Sequence, residues 1–281
     1  QGQAVTTGQF GWGEKYDGIP TVQFDGELRP YSPNPTRIKD FYRNGRATTN
    51  TIALSGGNGK GGFRLSFSNQ EALGITPNNT YYKKIFNAGI NQNINDKINV
   101  SFNINYTNEN NNNPPQVGVQ GIGTPNFLYR LSNTIGLEAL KQSAVAPNGT
   151  ERQTSGFQTT LINPYYIMDR QFIRDKRDRF LGTATVRYDI FKWLYLQGRV
   201  NMDYGVTLFE QNTPTGVGTS TLLNGAGTGY NGSYGVNTGN NRQMNMDFLL
   251  GASKEFSDFS ADLSLGGNIF TIRNNTFNQS V

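Results

Sequence analysis

The chain has 281 residues with a formal net charge of +5, and it contains no cysteine and no histidine. These absences exclude disulfides and thiol chemistry, remove the commonest general base and argue against a zinc site. Hydrophobic residues make up only 35%, below the usual share for a soluble domain, while 18 Phe and 14 Tyr argue against disorder. No apolar run approaches the ~18–20 residues of a transmembrane helix, and the interspersed charges form no basic stripe for nucleic acid.

Residues 1–47 are rich in Gly, Pro and aromatic residues without a sustained period, and we interpret them as one long ordered loop. Beyond them, short segments alternate apolar and polar side chains. In Ile98–Tyr106 every second residue is apolar and the residues between are Asn or Ser, which is the pattern of a β-strand with one apolar and one wet face. The length of this segment is close to the ~9–11 residues of a tilted strand that crosses a bilayer.

Eight such strands follow one another along the chain. They are predicted at Thr48–Ser55, Gly62–Asn69, Lys84–Ile94, Ile98–Tyr106, Arg179–Asp189, Leu194–Phe209, Gln243–Phe256 and Phe259–Thr271. Every second connection is short, at residues 56–61, 95–97, 190–193 and 257–258, whereas the loops at 108–176 and 210–242 are long. A short helix is expected at Phe127–Gln142, and residues 272–281 are interpreted as the start of another loop.

Short turns at one rim and long loops at the other are typical of bacterial outer-membrane barrels. We therefore predict an all-β fold, an antiparallel up-and-down segment of a transmembrane β-barrel with open edges at its first and last strands. Because a bilayer does not tolerate bare edges, strands from outside this chain would cover them. The chain is then part of one barrel domain, with 1–47 as an extracellular loop and 48–271 as strands and loops.

The alternation assigns side chains to two faces of the predicted sheet. Those expected to face lipid are Ile98, Val100, Phe102, Ile104, Leu196, Val200, Leu263 and Leu265. Charged residues expected to face the lumen are Arg64, Arg187, Arg199, Asp203, Asp247 and Asp262. They form either a wall that contacts substrate or a plug domain, or a solvated and mutually paired surface. The alternating charges of residues 170–179 are interpreted as a rim network, with lipopolysaccharide contact as the alternative.

The long loops carry aromatic residues that are candidates for binding a ligand or partner. They are Trp12, Tyr16, Phe157, Tyr165, Tyr166 and Tyr230. Tyr and Trp suit such surfaces because one end of the side chain is apolar and the other wet. The alternatives are that the loops pack on themselves, or that they fold inward and constrict the barrel.

One glycine-rich segment matches a nucleotide-binding spacing. Gly57–Gly62 fits G-x-G-x-x-G, but a strand follows it where that motif requires a helix, so we interpret it as a hairpin turn. The sequence offers no nucleophile–base pair and no metal-ligand cluster. No catalytic residue, cofactor or metal is therefore predicted.

Several spaced motifs occur in an order that matches a known family. Asp40-Phe41-Tyr42-Arg43-Asn44-Gly45 precedes Ser55-Gly56-Gly57, and Asn69-Gln70 and Leu73-Gly74-Ile75 follow. Further along are Asn163-Pro164-Tyr165, Arg179-Phe180-Leu181-Gly182, Trp193-Leu194 and Asp203-Tyr204. With these motifs, most of residues 10–270 resembles the SusC/RagA-type TonB-dependent transporters of Bacteroidetes outer membranes.

The resemblance implies a barrel of about 22 strands, with this chain as an early part and the plug domain and later strands outside it. It implies a multi-pass location in outer-membrane lipid and active import of oligosaccharides or peptides. It also implies a SusD-like surface lipoprotein that covers the barrel, and energy from the TonB complex through the plug. A passive porin and a surface adhesion or structural barrel are the alternatives.

Overall fold

The computed structural model describes residues 14–115, 128–129, 131–152, 163–216 and 232–281. A two-stranded sheet comes first, and an eight-stranded antiparallel sheet dominates the fold. The strands are β1 (Pro20–Val22), β2 (Leu28–Pro30), β3 (Arg46–Asn58), β4 (Gly61–Leu73), β5 (Thr80–Asn93), β6 (Ile98–Asn112), β7 (Ile173–Phe191), β8 (Leu194–Thr213), β9 (Ser233–Glu255) and β10 (Ser260–Ser280). The named helices are α1 (Arg37–Phe41), α2 (Leu137–Gln142) and α3 (Pro164–Arg170).

The topology confirms the predicted up-and-down order. Each strand from β3 to β10 pairs antiparallel with its sequence neighbour, and β3 and β10 form the two edges of the sheet. Within the described residues these two strands do not pair with each other, so the sheet is an open wall and not a small closed barrel.

The strands are longer than predicted toward the long-loop rim. β6 continues to Asn112, so three of the four asparagines of 110–113 belong to the strand, and the connection to β7 spans 113–172. The connection from β8 to β9 spans 214–232, and the expected loop at 272–281 is wrong because β10 continues to Ser280. Polar side chains occupy most positions on both faces in these segments, so the alternation weakens while the backbone ladder continues.

At the other rim, the β3–β4 and β7–β8 turns are tighter than predicted, whereas the turns at 94–97 and 256–259 are slightly longer. Residues 56–58 lie in β3, and the turn is Gly59-Lys60. The Asn58 side chain accepts hydrogen bonds from the amides of Lys60 (2.9 Å) and Gly61 (3.1 Å) and closes the turn. At the β7–β8 turn, the register shifts between Asp189 and Phe191.

The segments outside the sheet contain more regular structure than expected. Residues 14–45 form the β1–β2 hairpin and α1 where one loop was predicted, and β3 begins at Arg46. Within the predicted helix at Phe127–Gln142, α2 covers only Leu137–Gln142, and α3 was not predicted. The Asn163 side chain accepts from the Tyr165 amide (3.0 Å) and Pro164 occupies the first turn, so α3 starts with ordinary capping chemistry.

Candidate functional site: two sheet faces and a rim cluster

One face of the sheet is apolar and carries an unbroken line of aromatic side chains. Directly opposed positions on β4 to β8 place Phe67, Phe86, Tyr106, Phe180 and Tyr204 side by side. We call these five residues the aromatic row. The eight side chains predicted to face lipid all lie on this face, which we call the apolar face, because the register aligns them in rows parallel to the aromatic row.

A second set of aromatic residues lies at the short-turn rim. Phe191 stacks on Trp193 with ring centroids 5.7 Å apart, and Phe256 stacks on Phe259 at 4.6 Å. Leu194 and Tyr204 on β8 mark the two ends of the apolar band between these aromatics and the aromatic row. Ten residues at about 3.3 Å each, tilted by about 40°, span about 25 Å, the height of the apolar band of a membrane barrel.

The opposite face, which we call the polar face, holds all the charged residues predicted to face the lumen. Arg179 donates to both carboxylate oxygens of Asp203 (3.0 and 2.7 Å), and Arg199 donates to Asp247 (2.9 Å). Arg187 donates to Asp189 (3.0 Å), and its guanidinium lies 3.8 Å from the centroid of the Tyr195 ring. Among the described residues, Arg64 has no hydrogen-bonding or ionic partner.

Amide and hydroxyl side chains fill the rest of the polar face. Asn105 donates to Asn87 (2.6 Å), which in turn donates to the Ser66 hydroxyl (3.3 Å). The Thr183 hydroxyl donates to Asn201 (2.9 Å). Such groups both donate and accept hydrogen bonds, so this surface suits neutral polar solutes as well as water.

The loops at the long-loop rim pack into a small folded unit, which we call the rim cluster (described residues 14–45, 128–129, 131–152 and 163–172). Its core consists of buried side chains from two separate segments of sequence, and a third segment packs against them. They are Phe41, Leu128, Leu131, Ile135 and Leu140, with Tyr165 and Met168 packed against them. The largest buried hydrophobic side chains of the described chain therefore lie above the sheet and not within it.

Arg37 joins α1 to the rest of the rim cluster. Its guanidinium donates to the carbonyls of Leu128 (3.0 Å), Leu131 (2.9 Å) and Ile135 (3.1 Å), and also to that of Ser132. The side chain is buried, and burial lowers the pKa of Arg37 from its ordinary value while the nearby Tyr16 opposes the shift. Sequence reasoning missed this residue, because no local pattern links it to carbonyls more than 90 residues away.

Hydrogen bonds fasten the rim cluster to the sheet and to the neighbouring loops. Asn78, in the β4–β5 loop, donates to the Met168 carbonyl (2.8 Å). Asn212 at the end of β8 accepts from the Phe172 amide (2.6 Å) and donates to the Arg170 carbonyl (2.9 Å). The loops are thus positioned by the strands that they connect.

The aromatic residues predicted to bind a ligand or partner differ in how far the structure exposes them. Tyr16 is 42% exposed and packs against Tyr31, with ring centroids 5.2 Å apart. Tyr165 is half-buried against Phe41, and Tyr166 is 1% exposed and donates from its hydroxyl to the Thr215 carbonyl (2.7 Å). Direct binding through Tyr166 does not fit its burial. The remaining candidates, Trp12, Phe157 and Tyr230, lie outside the described residues.

The described residues contain no group of three or more Asp or Glu side chains arranged to hold a metal ion. Among the helices that the structure describes, none combines the length and apolarity needed to cross a bilayer.

Together, the open antiparallel sheet and its loops define an all-β fold, a wall segment of an up-and-down β-barrel. The chain is similar to solved structures of the RagAB peptide importer, at TM-scores of 0.65 (closed-closed state, 10% identity) and 0.66 (open-open state, 12% identity). Each match covers 86% of this chain and 26% of the solved chain. A structure of the RagAB peptide transporter matches at 0.62 and 11% identity, with 83% and 25% covered. The chain thus spans about a quarter of the length of these barrels. No family model and no curated protein sequence matches it.

Proposed function

We propose that this chain is part of the wall and extracellular rim of a SusC/RagA-type, TonB-dependent importer in a bacterial outer membrane. The observation that carries the proposal is the apolar band of about 25 Å between two sets of aromatics. Aromatic residues at both borders are what a barrel wall presents to lipid. The unpaired edges of β3 and β10 call for further strands, and a larger barrel supplies them.

The polar face is proposed to line the transport path. Its charged side chains are mostly paired, so the surface has little net field, while its amides offer many neutral hydrogen-bonding groups. Oligosaccharides and peptides both carry neutral hydrogen-bond donors and acceptors. The amides of the polar face can form hydrogen bonds with these groups without binding the solute strongly. We propose that Arg64, which has no partner among the described residues, contacts substrate or the plug domain through which TonB acts.

The rim cluster is proposed to dock a SusD-like surface lipoprotein. A packed core and the Arg37 hydrogen bonds make the cluster a preformed surface, which lowers the ordering cost of binding. Tyr16 remains exposed on it, as does Tyr129, and both are placed to contact the partner. We propose the same role for Trp12, Phe157 and Tyr230 on the basis of their place in the sequence.

Uptake measurements test the transport proposal. Cells that express the full-length protein are given labelled oligosaccharides or peptides, before and after the proton-motive force is collapsed. Uptake that stops on collapse, and also stops when TonB is inactivated, supports active import. Uptake that persists indicates a passive porin, and surface binding without uptake indicates an adhesion barrel.

A loop deletion tests the partner proposal. Residues 210–213 and 233–242 belong to strands, so the deletion is restricted to 217–231. We expect co-purification of the lipoprotein to fall while the barrel still assembles. The control is a double variant that combines Lys97→Gln and Lys192→Gln, two exposed residues at the short-turn rim. If no second outer-membrane protein co-purifies with the unaltered barrel and the deletion alters only conductance, the loops constrict the barrel by themselves.

A further inference from the structure

Two arginines lie side by side on the apolar face of the sheet. Tyr204 is directly opposite Arg242 on β9, and Arg242 is directly opposite Arg273 on β10. Directly opposed residues of an antiparallel pair project to the same face with Cβ atoms about 4.5–5.5 Å apart. The pair therefore extends the aromatic row toward the β10 edge with two positive charges.

Nothing described nearby neutralises this pair. Among the described residues, neither side chain makes a hydrogen bond or an ion pair. Met244 and Thr271 occupy the adjacent row on one side, and Asn240 and Asn275 bond to each other on the other side (3.1 Å). Like charges directly opposite each other destabilise a sheet, and an anion between the two guanidinium groups would relieve that repulsion.

The level of the pair on the sheet indicates which anion is available. It coincides with the aromatic row, at the end of the apolar band nearest the long loops. In outer-membrane barrels that end faces the outer leaflet, and aromatic girdles mark the depth of lipid headgroups. Lys84 and Lys176 lie on the same face, one and two rows nearer the long-loop rim. Asp178 shares the row of Lys84 and accepts hydrogen bonds from Tyr106 (2.7 Å) and Asn108 (2.8 Å), so it is engaged away from the arginine pair.

We propose that Arg242 and Arg273 bind a phosphate of an outer-leaflet lipid, of the lipid A type found in lipopolysaccharide. The inference rests on the membrane orientation in the proposed function. Planar guanidinium groups donate two parallel hydrogen bonds to phosphate oxygens, so two opposed arginines can hold one phosphate from both sides. The acyl chains of the same lipid would then lie along the apolar rows below Met244 and Thr271.

The test measures lipid binding by the full-length protein and does not depend on transport. Purified, delipidated protein is mixed with diphosphoryl lipid A or with dephosphorylated lipid A, and bound lipid is counted by native mass spectrometry. We compare three double variants. The first combines Arg242→Gln and Arg273→Gln, and the second replaces the same two arginines with Lys. The third, a control, combines Lys97→Gln and Lys192→Gln. The control removes two exposed positive charges at the opposite rim.

We expect the unaltered protein and the control to bind diphosphoryl lipid A at least about tenfold better than the dephosphorylated form. The double Gln variant should lose that preference, and the double Lys variant should retain part of it, because charge remains while the planar fork is lost. Heat-modified mobility on gels checks that each variant is a folded barrel.

Three results would overturn the inference. Equal binding of the two lipids would show that phosphate is not recognised, and displacement by equimolar inorganic phosphate would indicate a site for soluble anions. Unchanged preference in the double Gln variant would indicate that the arginines serve another partner, such as a carboxylate on a strand that pairs with β10. Energy-dependent uptake combined with equal lipid binding would remove this inference alone, whereas phosphate-dependent binding without uptake would remove the transport proposal alone.

Discussion

The sheet and the rim cluster expose their hydrophobic side chains to opposite surroundings. In the central strands of the sheet, Phe102 is 43% and Val200 is 41% exposed, whereas Leu128 and Leu140 in the rim cluster are fully buried. The sheet places its polar side chains against one another, as in the Arg179–Asp203 pair, and leaves its apolar side chains outside. The rim cluster has the ordinary arrangement of a small water-soluble domain.

This difference shows that the two regions place their apolar side chains in opposite ways. In the proposed membrane location, lipid would cover the apolar face of the sheet, whereas the rim cluster buries its apolar side chains by its own packing. Substitutions should therefore act by opposite rules in the two regions, and the following predictions test that contrast in order of decreasing effect.

The largest effect is expected from a charge placed in the middle of the apolar band. Phe102→Arg should destabilise the folded barrel by about 2–4 kcal/mol, because the guanidinium would be held at the bilayer midplane. The measurement is the free energy of unfolding of the full-length protein in lipid vesicles. Asn103→Arg is the matched control: it lies on the polar face opposite Gly89, where an arginine has room and water. Equal losses at the two neighbouring positions would refute the assignment of the faces.

A smaller and local effect is expected in the rim cluster. Arg37→Met should destabilise that cluster by roughly 2–3 kcal/mol, because it leaves buried carbonyls without their donor. Hydrogen exchange should accelerate in residues 131–152 while the amides of the sheet stay protected. Lys39→Met, an exposed substitution on the same helix, serves as the control. Faster exchange throughout β6 and β7 would mean that the two regions do not behave as separate units.

The smallest effect is a pH dependence of the β1–β2 hairpin. Burial alone would raise the pKa of Asp25, but hydrogen bonds from Arg29 and from the Glu27 amide outweigh it and lower the pKa. A depressed folded-state pKa contributes stability above the unfolded value of about 3.9, and that stability is lost as the pH falls through the folded value. Exchange of the hairpin amides should thus accelerate below about pH 4. Asp25→Asn should remove the dependence, and its persistence in that variant would assign it to another group.

The apolar face of the sheet could be predicted from sequence because its signal is local. In Ile98–Tyr106 the alternation assigns each side chain to a face, and short turns separate successive strands, so strand number, pairing order and the two faces follow without long-range information. The same reasoning failed at residues 110–112 and 272–280, where polar side chains occupy most positions on both faces and alternation gives little signal. In these segments the neighbouring strands determine where a strand ends, because an established hydrogen-bond ladder extends through any residues that can adopt an extended backbone.

The sequence by itself therefore determined the class of fold, the two faces of the wall and the positions of its charged side chains. Tertiary structure alone decided which loop residues are buried. Tyr166 and Tyr16 are both aromatic residues of predicted loops, and the sequence does not distinguish them. In the structure, Tyr166 is 1% exposed and Tyr16 is 42% exposed. Arg37 acquires its role only when the chain brings it to carbonyls of residues 128–135. Those contacts join distant segments with no shared periodicity, and burial is a property of the assembled packing, which no local pattern records.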